Sequence, residues 1–184
     1  HPDTLEARDG LAHWRGEAGD PQGAAAAYAD LVDHRTRVQG PDHPDTLEAR
    51  DGLAHWREEA GDPQGAAAAY ADLEDHRTRT QGPDHPDTLT ARHNAVFWRG
   101  EAGDAQGAAA AFADLVRDRT RVQGPDHPDT LEARDGLAHW RGEAGDPQGA
   151  AAAYADLVQD RTRVQGANHP DTVASQSQLS HWRN

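Results

Sequence analysis

The chain has 184 residues, 32 of them acidic and 18 basic, for a net charge of −14. Such a field repels nucleic acid and anionic membrane and favours a basic or neutral partner. Cysteine and lysine are both missing, which excludes disulfides, thiolate metal sites, cysteine nucleophiles, Schiff-base lysines and phosphate-loop lysines, and no apolar run approaches the ~18 to 20 residues of a spanning helix.

A first helix is predicted over about residues 2–17. Pro2 suits the first turn, where its missing N–H has no partner to lose, and Asp3 favours the positive helix end. "AGD" stops it, with Gly19 as C-terminal cap. A second helix is predicted over about 21–38, opened by Asp20 as N-cap and Pro21 and closed at Gly40. In the first helix Ala7, Leu11, Trp14 and Ala18 share a stripe, flanked by Leu5 and Ala12. In the second, Ala24, Tyr28, Leu31, Val32 and Val38 share the apolar face.

The same pair is then rewritten along the chain. His1, His43, His85, His127 and His169 mark a period of 42 residues. This gives repeats 1–42, 43–84, 85–126 and 127–168, one continuous array closed by a capping helix over 169–184. The second unit departs from the first at Glu58, Glu74 and Thr80, and the fourth at Gln159, Asp160, Ala167 and Asn168; the third departs at ten positions. One helix pair cannot bury both its sides alone, so the units must stack. Trp14, Trp56, Trp98, Trp140 and Trp182 are expected to form a ladder, each indole contributing large contact area. The last segment keeps Val173, Leu179 and Trp182 inward and turns serines and glutamines out, as an array end requires.

The units align without gaps on the joint "GPDHPDT", Leu11–Ala12, Gly19, Ala24 and Tyr28; the third unit carries Ala95–Val96 in place of the leucine–alanine pair and Phe112 in place of the tyrosine, and the final joint reads "GANHPDT". In these residues the chain resembles tetratricopeptide repeats, and more narrowly the 42-residue kind found in kinesin light chains and in the sensor arrays of bacterial signalling ATPases. Arg8 and Arg15 depart from the pattern, since the shorter form of the repeat carries large aromatics there, and their guanidinium groups must reach solvent or a carboxylate. Gly10 sits mid-helix at a cost of about 0.5–1 kcal/mol relative to Ala. It reads either as a neutral change spread by duplication or as a place where a partner's backbone comes close. The resemblance implies an all-α fold, a right-handed α-solenoid of four helix-turn-helix repeats plus a C-terminal capping helix. The first helix of each repeat would line a concave groove that binds peptide segments.

By that analogy the groove-lining residues are Glu6, Asp9 and His13; Glu48, Asp51, His55 and Glu58; His93 and Phe97; and Glu132, Asp135 and His139. Gly16 falls on the same side. The groove is acidic, with Phe97 either exposed as an apolar anchor or packed inward. Asp9–His13 and its copies are i,i+4 neighbours, but no nucleophile recurs beside them, so no catalytic residue, metal or cofactor is expected. The "PDHPD" joint is explained by helix capping without a metal.

The chain is therefore expected to be a non-catalytic cytoplasmic interaction scaffold for a basic peptide or protein, with no nucleic acid or membrane partner. One alternative is a sensor or spacer segment of a larger bacterial signalling ATPase, which suits a chain that starts at His1 and reads as an excerpt. Another is a self-associating structural repeat. The chain is expected to be a monomer, with end-to-end stacking opposed by the polar last helix.

Overall fold

The local signals that start and stop each helix recur with the period, and so do the helices. The computed structural model of the protein describes residues 2–183. Its helices are α1 (Pro2–Glu17), α2 (Pro21–Gln39), α3 (Pro44–Glu59), α4 (Pro63–Gln81), α5 (Pro86–Glu101), α6 (Ala105–Gln123), α7 (Pro128–Glu143), α8 (Pro147–Gln165) and α9 (Pro170–Trp182). No strand occurs among the described residues. His1 and Asn184 lie outside the described residues, as do the side chains of Pro2 and Asp3, so the capping role of Asp3 is not described.

Each even-numbered helix opens on an aspartate. Asp20, Asp62, Asp104 and Asp146 accept the N–H of Gly23, Gly65, Gly107 and Gly149 through Oδ1, at 2.8–2.9 Å. This satisfies a donor that the helix itself leaves free. α3, α5, α7 and α9 use a histidine instead: His43, His85, His127 and His169 accept the N–H of the aspartate two residues on through Nδ1, at 3.2–3.3 Å. Gly19 and Gly40 close α1 and α2 at φ of 92° and 100°, a region that favours glycine.

The chain divides into two compact units, residues 1–98 and 99–184. In the first, α1 packs on α2, α2 on α3 and α3 on α4, and Tyr70 and Leu73 of α4 share a core with Ala91 and Ala95 of α5. In the second, α6 packs on α7, α7 on α8 and α8 on α9.

Two glycine seats set the spacing between neighbouring pairs. A Cβ on Gly16 would lie 2.2 Å from the Trp56 ring, and one on Gly100 or Gly142 would lie 2.4 Å from Trp140 or Trp182. The indole thus rests on bare backbone of the preceding odd-numbered helix. A second seat lies across the pair: a Cβ on Gly52 would meet the Tyr28 ring at 2.5 Å, and one on Gly136 the Phe112 ring at 2.6 Å. The mid-helix glycines at 52 and 136 are therefore structural, receiving an aromatic ring from the preceding helix of the same chain; Gly10 has nothing within 4 Å.

These seats correct three expectations. Gly16 does not line a groove, because it is buried under Trp56. The indoles do not form an even ladder. Trp56 and Trp140 are 4% exposed and Trp14 is 69% exposed, because no described helix offers Trp14 a glycine; Trp98 and Trp182 are half-buried. Val38 does not join the apolar face of α2 and is 64% exposed. The next inward turn after Val32 is taken by Arg35.

Arg35, Arg119 and Arg161 are all buried. Each donates through Nη1 to the carbonyl of the aspartate opening the next helix: Arg35 to Asp45 and Arg119 to Asp129 at 2.5 Å, and Arg161 to Asp171 at 2.9 Å. A buried guanidinium is tolerable only when bonded in this way. The outer arginines reach acceptors as expected: Arg15 pairs with Asp20 and Arg99 with Asp104, Arg50 pairs with Asp72, and Arg92 pairs with Glu74.

Candidate partner-binding face

The odd-numbered helices carry every residue that the sequence placed in a groove, and the structure sorts those residues into two groups. Glu6, His13, Glu48, Asp51, His55 and Glu132 are exposed. Asp9, Glu58, His93, Phe97, Asp135 and His139 are half-buried.

The half-buried carboxylates are engaged inside the fold. Asp9 accepts from the Tyr28 hydroxyl at 2.8 Å and from Arg35 Nη2 at 3.0 Å. Asp135 accepts from Tyr154 at 3.2 Å, from Arg161 at 3.1 Å and from the Ser175 hydroxyl at 3.3 Å. Burial, and then the neighbouring carboxylate, pushes the Tyr28 and Tyr154 phenols above their usual value, so both stay protonated and donate. These Asp–Tyr–Arg triads hold an odd-numbered helix to the helix that follows it. Asp9 and Asp135 therefore do not pair with His13 and His139 four residues on. The histidines lie edge-on to tryptophan: His13 to Trp14 and Trp56, His55 to Trp56, and His139 to Trp140, with ring centroids 4.8–6.0 Å apart.

Glu58 changes this pattern within residues 43–98. It stands where α1, α5 and α7 carry glycine, and the Tyr70 hydroxyl donates to it at 3.2 Å. Asp51, the counterpart of Asp9 and Asp135, is exposed. Arg77, the counterpart of Arg35, is half-buried and donates to the Asp87 carbonyl at 3.2 Å. Trp98 finds no glycine seat on α3 and is half-buried, with Phe97 standing perpendicular to it at 5.5 Å.

Where the Asp–Tyr–Arg triad is absent, a cavity of about 360 Å³ opens between α3, α4 and the start of α5. Asp42, Pro44, Leu47, Glu48, Asp51, Arg77, Thr80, Gln81 and Asp87 line it. Glu48 and Asp51 were among the residues placed in the groove from sequence. Asp42, Arg77 and Asp87 were not, because they sit in the joints and on an even-numbered helix. The repeated "PDHPD" joint, which recurs at the same place in each unit, is the signal that could have pointed to Asp42 and Asp87; none marks Arg77. Asp42 is also bonded to buried His76 at 2.5 Å, and that bond, followed by the charges of His76 and Arg79, holds its carboxyl below the usual range. An ionised carboxylate at this rim needs no further help to stay charged at neutral pH. The chemistry such a cavity can do is recognition of a cation: an apolar floor from Pro44 and Leu47 under a rim of carboxylates. Among the described residues no group of three or more His, Asp or Glu side chains is arranged to hold a metal ion, and no helix is long and apolar enough to cross a membrane.

Comparison with known proteins bears on this arrangement. No curated protein matches the chain. The fold is similar to that of a Podosopora anserina protein of kinesin-light-chain type with nearly identical TPR-like repeats. A single-substitution form of that protein superposes with a TM-score of 0.83 at 22% identity, over 99% of this chain and 86% of that one. A second structure of it gives 0.80 at 22% identity over the same shares. BtubC (BKLC) from P. vanneervenii gives 0.75 at 18% identity, over 92% of this chain and 68% of that one. These likenesses show the fold, an all-α solenoid of helical hairpins. Residues 3–78 match the family model described as tetratricopeptide repeat, and the units beyond residue 84 repeat that stretch with the substitutions already named. By that match over its first part and by the likeness of fold along its length, the chain is similar to tetratricopeptide repeat proteins of the kinesin-light-chain kind.

Proposed function

We propose that the chain is a non-catalytic scaffold that holds a basic peptide segment against the exposed side of its odd-numbered helices, with an anchoring point in the cavity between α3, α4 and the start of α5. Tetratricopeptide repeats generally serve protein–protein interaction, and the acidic balance of the chain favours a basic partner. The observation that carries the finer reading is that cavity: Asp42, Glu48, Asp51 and Asp87 surround an apolar floor, and Arg77 is the basic residue of the lining. A lysine or arginine of the partner lays its aliphatic stem on Pro44 and Leu47 and its charge among the carboxylates. Glu6, His13, His55, His93 and Phe97 extend the same face within residues 1–98. Glu132, Asp135 and His139 offer its counterpart within residues 99–184, where Asp135 is already engaged by Arg161.

Titration of arginine-rich peptides at two salt concentrations tests this reading. Affinity is expected to fall as salt rises, and a Glu48→Gln/Asp51→Asn double variant is expected to bind about tenfold more weakly or worse. Binding that ignores salt, or that survives unchanged in the double variant, sinks the proposal.

A further inference from the structure

The chain holds a guanidinium at the same place twice. Arg35 of α2 and Arg161 of α8 are buried. Each bonds an aspartate carboxylate of the helix before it and the opening carbonyl of the helix after it. Arg35 reaches Asp9 at 3.0 Å and the Asp45 carbonyl at 2.5 Å; Arg161 reaches Asp135 at 3.1 Å and the Asp171 carbonyl at 2.9 Å. A tyrosine hydroxyl completes each set, Tyr28 on Asp9 and Tyr154 on Asp135. A carboxylate and a carbonyl set around one side chain suit a planar cation with several donors.

Residues 43–98 carry the same acceptors without the same occupant. Asp51 repeats Asp9 and Asp135 and is exposed. Its tyrosine has gone to Glu58, which accepts from Tyr70 at 3.2 Å. Its arginine has gone as well. Arg77 is half-buried and keeps the Asp87 carbonyl at 3.2 Å, and among the described residues no hydrogen bond or ion pair joins it to Asp51. Thr90 of α5 stands where α7 has Glu132, 3.8 Å from Arg119, so α5 has no carboxylate at that position to draw Arg77 inward. Gln39 donates to Asp45 at 2.8 Å and Gln123 to Asp129 at 3.0 Å, whereas among the described residues no such bond joins Gln81 to Asp87. Asp51, Gln81 and Asp87 line the cavity instead.

We infer that this cavity is an arginine pocket: a guanidinium of the partner bonds Asp51 as Arg35 bonds Asp9, and Arg77 is the chain's own competitor for that carboxylate. The pocket presupposes the basic partner proposed above and narrows it to one side chain. A guanidinium offers five donors in a plane, so it serves acceptors on more than one side of the cavity, among them Asp51 and Asp87. A lysine ammonium offers three donors from a single nitrogen and is more strongly hydrated, so it gains less from the same acceptors. Arg77 opposes the partner in two ways. Its charge in the lining repels a second cation, and its side chain can turn onto Asp51 as Arg35 turns onto Asp9.

Calorimetric titration of the chain with hexa-arginine and with hexa-lysine, equal in length and charge, tests the pocket apart from the basic partner. Hexa-arginine is expected to bind about tenfold more tightly. Asp51→Asn, a change at an exposed residue that leaves the fold intact, is expected to bring the two peptides within about twofold of each other. Arg77→Gln is expected to tighten hexa-arginine by about fivefold. Arg37→Gln, the same charge change at an exposed residue outside the cavity lining, is expected to tighten it by less than about twofold. Equal affinity of the two peptides for the unaltered chain overturns the arginine pocket and leaves a general acidic face standing. A preference for arginine that persists in Asp51→Asn overturns it too, because the guanidinium is then bound elsewhere, and this arm decides even where Arg77→Gln folds poorly. Arg77→Gln binding no more tightly than Arg37→Gln overturns the competition by Arg77. If neither peptide binds, the pocket and the basic partner fall together.

Discussion

The junction from α1–α2 into α3 and the junction from α3–α4 into α5 start from nearly the same sequence, since α3–α4 departs from α1–α2 only at Glu58, Glu74 and Thr80. At the first, Gly16 seats Trp56 and leaves it 4% exposed, Tyr28 donates to Asp9, and Arg35 is buried against both Asp9 and Asp45. At the second, Glu58 fills the seat, Trp98 is half-buried, Tyr70 turns its hydroxyl to Glu58, and Asp51 is left facing a cavity. The receiving helix changes in step, with Asn94 where α3 has Gly52. The lesson is that the perfect repeat consumes its polar groups in holding itself together. Groups become available to a partner where the repeat is broken.

Truncating the indoles should separate the two junctions most widely. Trp56→Ala is expected to cost about 3–5 kcal/mol, the usual range for a buried aromatic. Trp98→Ala should cost clearly less, and Trp14→Ala should stay within about 0.5 kcal/mol of zero, as an exposed change does. Chemical denaturation of the three variants checks the order. Equal losses for Trp56→Ala and Trp98→Ala would remove the role given to the Gly16 seat.

Alanine at the mid-helix glycines should then reverse sign along the chain. Gly52→Ala drives a Cβ into the Tyr28 ring and is expected to destabilise by about 1–3 kcal/mol. Gly10→Ala meets nothing within 4 Å and is expected to stabilise by about 0.5–1 kcal/mol through helix propensity. Thermal melts of the two variants side by side suffice. A destabilising Gly10→Ala would mean that the open space beside Gly10 is filled in solution.

A third change rebuilds the first junction inside the second. Glu58→Gly restores the indole seat but places glycine near the end of α3, at a cost of about 1 kcal/mol, so the net effect on stability should be near zero. The informative readouts are others. Trp98 emission should shift to the blue as the ring is covered, and affinity for an arginine-rich peptide should drop as Tyr70 and Arg77 turn to Asp51. Unchanged emission would show that α5, rather than Glu58, keeps the indole out.

The parts of this arrangement that were legible in the sequence are those decided within one turn of chain. Asp20 with Pro21, the "HPD" openings and Gly19 and Gly40 fix the helices to within a residue, because a cap depends on its immediate neighbours alone. Counting apolar residues at helical spacing failed at Arg35 and Val38. An arginine bonded to a backbone carbonyl across a joint satisfies its charge through residues ten positions away, and spacing carries no sign of that. The Gly16 seat was hidden for a related reason: a glycine and a tryptophan 40 positions apart in sequence meet only once the stacking geometry is known. The face of Glu48, Asp51 and His55 could be placed on one side of a helix by spacing, but its cavity depends on Tyr70 and Arg77, which belong to the next helix.

The smallest expected effect concerns acid. Asp20 and Asp104 are held below the ordinary carboxylate value of 3.8, first by the capped N–H of Gly23 or Gly107 and then by Arg15 or Arg99. A carboxyl depressed in the folded state adds stability that is complete above its unfolded value, near pH 4, and is lost as pH falls through the lower folded value. Asp20→Asn keeps an oxygen for the cap while removing the charge. It should therefore lower the melting temperature slightly at neutral pH and make the further loss on going to about pH 3 smaller than in the unaltered chain. Arg15→Gln is the comparison, because it removes the guanidinium and leaves the cap of Gly23 by Asp20 in place; it should flatten the acid limb less than Asp20→Asn does. If Arg15→Gln leaves that limb unchanged, the cap N–H alone sets the acid response and the arginine beside Asp20 contributes nothing to it.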